Sequence, residues 1–334
     1  VSRTTKIVLG CLILVALSIV AASAAPLVLK VGSIAPEATP WGESLNKLAA
    51  EWKRVSNGQV ELKVYHGGIA GGESDSIRKM RLNQLQGAVL TSFGVNELTK
   101  DFLTLSIPFM IRTDAELDYV LSKVSDRYKK EVAAQKFYVF AWSKAGWVRF
   151  FSKTPVRLPA DLKPLKLGSN PVDQQMFEAW QSMGYNQVPV ELPNTLTALN
   201  SGRIDALYAS PIATGGFQWF GIAKYMASIK IAPFLGGIVF TQSTWDKIPA
   251  NLKPALEAAA APIFERLDAD IQQMEVSAIK TMKTYGLIET TVSPADELVW
   301  KSEMDTGLSG LLGKSFNKEV YDIMVSALAE YRKK

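Results

Sequence analysis

The 334-residue chain carries a single cysteine, Cys11, and a single histidine, His66. Those two scarcities exclude a good deal of chemistry. One cysteine cannot form an internal disulfide, and this one lies in a segment expected to be removed, which rules out thiol catalysis in the mature chain. His66 has no cysteine or carboxylate cluster beside it, so it reads as a structural or surface residue and not as a base or metal ligand. No nucleophile–base pair and no metal-spaced cluster is present, so neither an enzyme, a cofactor nor a metal is expected. Charge of one sign is also lacking: 37 basic residues face 32 acidic ones. Arg3 and Lys6 belong to the N-terminal segment, so the mature balance is 35 − 32 = +3. So mild and interspersed an excess does not point to nucleic acid. Internal repeats, low-complexity tracts and sustained heptads are absent as well.

What is present begins with an export signal. Arg3 and Lys6 precede an apolar run from Ile7 to Ala22, and Ala22-Ser-Ala24 is a small-residue cleavage pattern. A lipoprotein reading through Val8-Leu-Gly-Cys11 is less favoured, because most of the apolar run follows the cysteine. Residues 1–24 are therefore expected to be a cleavable signal peptide. The 310 residues that remain (334 − 24) suffice for two domains with ample core.

The mature chain opens with an apolar strand, Leu27 to Gly32, and a helix begun by Thr39-Pro40. Trp41, Leu45, Leu48, Trp52 and Val55 recur at helical spacing until Asn57-Gly58. Val60, Leu62 and Val64 alternate with polar residues as a half-buried strand. The β-α-β crossover makes the pair parallel. His66-Gly-Gly-Ile-Ala-Gly-Gly72 resembles a phosphate loop only in its glycines, since the Lys-Ser/Thr of such loops is missing. A helix is expected over about 73–86 and a strand over 88–92, with Phe93 at its end. Two strands follow, 137–142 and 147–151, the second leading into another domain. From Pro155 to Pro211 the pattern gives βαβ units, whose ligand crevice lies at the carboxyl ends of the strands. Gly168-Ser-Asn-Pro171 ends one such strand and opens a helix. A strand over 235–241 returns to the first domain. Apolar residues stepping by three or four from Ala250 to Tyr285 predict a helix of about 54 Å, longer than one small domain, with Pro262 inside it. Two helices follow, from about Ser293 and about Asn317.

The order and spacing of several pieces give a more specific indication. Asp161-Leu-Lys-Pro-Leu-Lys-Leu167 and Thr197-Ala-Leu-Asn-Ser-Gly-Arg-Ile-Asp205 are joined by Pro40-Trp-Gly42, Gly71-Gly72, Pro108-Phe109 and Gly146-Trp-Val-Arg149. Over nearly the whole mature chain this resembles the DctP-like solute-binding subunits of tripartite ATP-independent periplasmic (TRAP) transporters. The resemblance implies an α/β fold: a two-domain periplasmic binding protein (type II-like) with mixed sheets, a central cleft and a long helix spanning both domains. The expected division is 25–146 plus about 234–275 for one domain, and 147–233 plus about 276–334 for the other. The implied function is capture of a small solute in the periplasm and delivery to TRAP membrane permease subunits. Some members of the family work with tetratricopeptide-repeat partners, so a carrier of a lipid-like ligand paired with such a protein is the alternative.

Departures from the family pattern shape the expected pocket. The arginine that holds a ligand carboxylate in the family falls on Gly168 here. The second family arginine falls on Arg149, which either anchors an acidic end or belongs to a structural pair. Lys100, Lys144 and Lys224 are the other cations in question. Losing an Arg–carboxylate fork costs a simple acid several kcal/mol, about 2–5 by comparison with other charge pairs. The ligand-binding residues expected are Arg149, Gly168, Asn170, Leu192, Tyr208, Ser210, Phe217, Trp219, Ile34, Trp41 and Phe93. Mostly apolar, they suit a ligand more hydrophobic than a C4-dicarboxylate: an amphipathic carboxylate, a branched oxo-acid or a lipid-like molecule. The signal is testable directly. Intact-mass analysis of the exported protein is expected to place the mature N-terminus at Ala25; retention of residues 1–24, or a lipid adduct on Cys11, overturns it.

Overall fold

The computed structural model describes residues 25–99, 101–170, 174–191 and 194–333. The expectations for residues 1–24, for Lys100 and for Leu192 lie outside the described residues.

The first strand, β1 (Leu27–Ser33), is followed by α1 (Pro40–Val55) and β2 (Val60–Tyr65). Thr39 caps α1 by accepting a hydrogen bond from the Gly42 N–H, with Pro40 at the first helical position. Next come α2 (Glu73–Arg81), β3 (Gly87–Thr91), α3 (Ser92–Thr99) and, after a 3-10 turn, α4 (Asp114–Ala134). Helix α2 stops short of the expected 86, because Asn83 takes a positive φ of 57° and turns the chain. β4 (Phe137–Ser152) is one strand of 16 residues where the sequence suggests two. Irregularities in its pairing fall between Val139 and Ala141 and between Lys144 and Trp147. Gly146 there has φ +90°, a conformation glycine adopts at little cost.

The second half is built from α5 (Pro159–Leu162), β5 (Lys166–Ser169), α6 (Gln174–Ser182), β6 (Asn186–Pro189), α7 (Thr195–Asn200) and β7 (Ala206–Ala209). It continues with α8 (Pro211–Gly216) and β8 (Tyr225–Ala227). β9 (Ala232–Thr241) then returns to the first half and leads into α9 (Gln242–Lys247). The long helix α10 (Lys253–Thr284), β10 (Ile288–Thr290), α11 (Pro294–Leu308) and α12 (Lys318–Tyr331) complete the chain.

Two ladders share β4. The first runs β2-β1-β3-β9-β4, parallel among β1 to β3 and antiparallel at β9. In the second, β4 pairs antiparallel with β7, and β7, β5 and β6 are parallel. On its other edge β4 pairs with β8, which pairs in turn with β10. These are mixed sheets, and the right-handed crossover rule accounts for their parallel β-α-β segments.

Each half buries its own cores. Trp52 is fully buried among Phe240, Trp245 and Leu256, and its Nε1–H donates to the Leu256 carbonyl at 3.1 Å. In the other half Trp180 and Trp300 pack around Phe150 at 5.6 and 5.2 Å between ring centroids. The 32 residues of α10 reach about 48 Å, so the helix spans both halves. Leu256 and Ala260 join the core with Trp52, while Met282 joins the core with Phe151 and Trp219. Lys144 pins the middle of α10, at 3.0 Å from Asp268 and 2.8 Å from Asp118 of α4. Burial lowers the pKa of that ammonium, yet the two carboxylates outweigh it and hold the group above its ordinary range. The last helix departs from the expected grouping of 276–334. Val320, Met324 and Leu328 of α12 pack with α4 in the first half, and Arg332 forks onto Glu116.

Candidate functional site

The carboxyl ends of β3, β5 and β7 converge with the start of β9 on one cavity of about 300 Å³. That volume lies at the lower end of small-molecule sites. The geometry follows from local sequence. At the end of β3, Thr91 and Ser92 pass straight into α3, and Ser92 Oγ bridges to β9 by donating to the Leu235 carbonyl and accepting from its N–H. On the facing side, β7 ends at Ala209 and Ser210 caps α8 by accepting from the Ala213 N–H. Phe93 packs on Phe234 at 6.0 Å, and Phe217 stacks on Trp219 at 5.0 Å with ring planes 14° apart. Each pair contributes to the cavity wall. Phe217 remains 51% exposed, so part of that wall faces the opening.

Eight of the residues expected from sequence line the cavity: Ile34, Phe93, Gly168, Asn170, Tyr208, Ser210, Phe217 and Trp219. Trp41 is not among the lining residues and sits half-buried on α1. Arg149 is also elsewhere. Its guanidinium donates to the Ser228 carbonyl, and the carboxylates of Glu275 and Glu289 act on its charge. Burial pushes the Arg149 pKa down, against the pull of those two carboxylates. Glu275 projects from α10 beside Gly146, at 3.7 Å from where a Cβ would stand. Burial raises its pKa, while Arg149, Lys230 and the Trp147 N–H act to lower it. This placement gives Arg149 a structural hydrogen bond to the Ser228 carbonyl and keeps it out of the cavity lining. Lys144 is held by its two carboxylates and Lys224 is exposed, neither lining the cavity. His66 lies outside it too, with Nε2 at 3.0 Å from Asn46 Oδ1.

Gly168 stands in the wall for a visible reason. A Cβ built on it would lie 2.8 Å from Ile204 Cδ1. The Ile204 side chain, fully buried, already fills the space where a longer residue at 168 would start. An arginine here therefore requires Ile204 to move.

Sequence reasoning missed Glu73, the one charged side chain of the cavity wall among the described residues. It sits at the first position of α2, just after the Gly71-Gly72 turn. Its carboxylate accepts from both the Thr91 N–H and the Thr91 Oγ–H, the latter at 2.8 Å. Burial pushes its pKa above the usual carboxylate range, the Thr91 donors pull it back, and the Glu97 charge raises it further. The signal was an acidic residue after a glycine turn, which reads equally well as ordinary helix N-terminal charge. Trp180, Ser169 and Met176 also line the cavity without having been expected there.

With this geometry in view, the comparisons are specific. The profile of the bacterial extracellular solute-binding protein family 7 (DctP) matches residues 31–311. The chain belongs to that family. Its members are transport proteins that bind solutes and are not enzymes. The C4-dicarboxylate-binding periplasmic protein of Rhodobacter capsulatus is 22% identical over 335 residues, covering 98% of this chain and 99% of that one. A solute-binding protein of Chromohalobacter salexigens is 24% identical over 235 residues, 68% of each. Among solved structures, a TRAP periplasmic solute-binding protein from Desulfovibrio salexigens with bound orotic acid superposes with a TM-score of 0.81. It shares 18% identity and covers 91% of this chain and 99% of its own. One from Shewanella oneidensis with bound succinate also gives 0.81, at 17% identity, covering 91% and 100%. The fold is thus that of the two-domain TRAP binding proteins. No helix among the described residues is long and apolar enough to cross a membrane.

Glu73 generates a pH prediction. A carboxyl whose folded pKa is raised binds protons in the folded state that it has released in the unfolded state. Its contribution therefore weakens stability as pH rises through that window, above the ordinary carboxylate range. Glu73→Gln in the unliganded protein is expected to raise Tm at pH 7 and to leave it little changed near pH 4. Thermal melts across pH check this; a lower Tm at pH 7 contradicts it.

Proposed function

We propose that this family 7 protein is the periplasmic subunit of a TRAP-type transporter and takes a small solute with an apolar body and no carboxylate. The cleft would close on that solute as the two halves hinge about β4, β9 and α10, and the loaded protein would pass it to the membrane permease subunits. Residues 25–146 and about 234–275, joined by α12, form one closing body in this reading; 147–233 and about 276–317 form the other.

The observation that carries the ligand class is the cavity wall. It is largely aromatic and aliphatic, has Gly168 where the family arginine is expected, and has Glu73 as its one charged group among the described residues. Two like charges about 6 Å apart repel by about 3 kcal/mol at an effective dielectric near 20. That adds to the loss of an arginine fork, so a simple acid is disfavoured twice. The ligands named for the relatives above are acids, and this reading departs from them on that argument. A volume of about 300 Å³ favours a small solute over a long-chain lipid, and nothing observed favours a tetratricopeptide-repeat partner.

Small-angle scattering with added solutes tests the reading. Succinate and glucuronate at about 1 mM are expected to leave the radius of gyration unchanged. Compaction by either at micromolar concentration would show that a cation reaches the cavity and would overturn the ligand class.

A further inference from the structure

Two buried donors of the cavity wall have no acceptor among the described residues. They are the Oγ–H of Ser169, at the end of β5, and the Nε1–H of Trp180, on α6. Ser169 is 4% exposed and Trp180 1%, and both line the cavity. Three of the other five buried tryptophans, Trp52, Trp147 and Trp300, donate to Leu256, Asp114 and Arg157 respectively. A buried polar group left without a partner is rare, because desolvation without a replacement bond is costly. Indole N–H is a donor only, so the partner that Trp180 lacks is an acceptor. An uncharged carbonyl oxygen has two lone pairs, enough for both donors, and it carries no charge to oppose Glu73 across the same cavity.

Glu73 has the opposite sense. Each of its oxygens already accepts from Thr91, and each retains capacity for one more donor. The residues that β5 and α6 bring to the cavity lining therefore carry donors without partners, and α2 brings a carboxylate to the same lining.

We propose that the solute presents an uncharged carbonyl oxygen to Trp180 Nε1 and Ser169 Oγ, while a hydroxyl or ammonium group at its other end donates to Glu73. This rests on the cavity being the solute site. The ligand class it names is a small hydroxy- or amino-carbonyl compound with an apolar middle, such as an ω-amino amide or a hydroxy ketone.

The test is calorimetric titration of the mature protein with a panel of four- to eight-carbon ω-amino and ω-hydroxy amides and ketones. Each is matched to an analogue with methylene in place of the carbonyl, and to a dicarboxylate of equal length. At least one amide or ketone is expected to bind. Trp180→Phe and Ser169→Ala are each expected to weaken it about three- to tenfold, the worth of a neutral hydrogen bond, while leaving the methylene analogue unchanged. Melting curves establish that each variant is folded, and Ser169→Ala carries the test alone if Trp180→Phe is not. Equal loss for carbonyl and methylene compounds, or no loss, overturns the donor assignment while leaving the site intact. Failure of every amide and ketone to bind at millimolar concentration also overturns it. Tighter binding of the dicarboxylates overturns the underlying ligand class instead.

Discussion

The hydrogen-bond ladder of β4 is the constraint from which the rest of the molecule follows. Its first part pairs with β9 and its last four residues pair with β7, so one strand belongs to both halves. β9 runs back alongside it, and α10 braces the crossing through Lys144 and its two carboxylates. Because backbone ladders fix strand direction and register, the carboxyl ends of β3, β5 and β7 are brought to face one another. The cavity is the space those ends leave. Gly146, with its positive φ, and Glu275 beside it lie at the irregularity of β4 between the two ladders.

In the proposed reading, the electrostatics of the cavity oppose the ligand chemistry seen in solved relatives. In a partly desolvated site, an acid needs a fixed positive partner. Here Arg149 donates to the Ser228 carbonyl, and position 168 holds a glycine backed by Ile204. The charge left in the wall is a carboxylate, held by Thr91. Aromatic pairs on both sides supply apolar contact that does not depend on the sign of the ligand. In the proposed reading, what distinguishes one solute from another falls to the polar atoms: Glu73 from α2, and Ser169 and Trp180 from β5 and α6.

Much of this was legible in the sequence. Period-2 and period-3.6 patterns located β1, α1, β2 and α10, because those elements bury one clear face. The family resemblance pointed to Gly168, and strand-end positions pointed to Asn170 and Tyr208; all three line the cavity. The continuous β4 was not legible: Gly146 and the polar residues around it look like a turn, and only pairing with β9 makes them a bulge. Helix α12 carried an apolar stripe but no sign of which half it covers, since a stripe says nothing of its partner. Arg149 and Trp41 were expected at the cavity from the family resemblance, which fixes a position along the chain but not which way a long side chain turns. Glu73 went unnoticed for the opposite reason, as helix N-terminal acids are common. The orphaned indole of Trp180 is a property of three-dimensional surroundings, and no sequence pattern carries it.

The central claim is that this fold has been retuned from an acid to an uncharged or cationic solute with an apolar middle. The most direct measurement is mass spectrometry of the small molecule released when protein purified from its native periplasm is denatured. The account predicts a compound without a carboxylate that carries a carbonyl and a hydroxyl or amine. Stoichiometric release of a dicarboxylate or a sugar acid would contradict it.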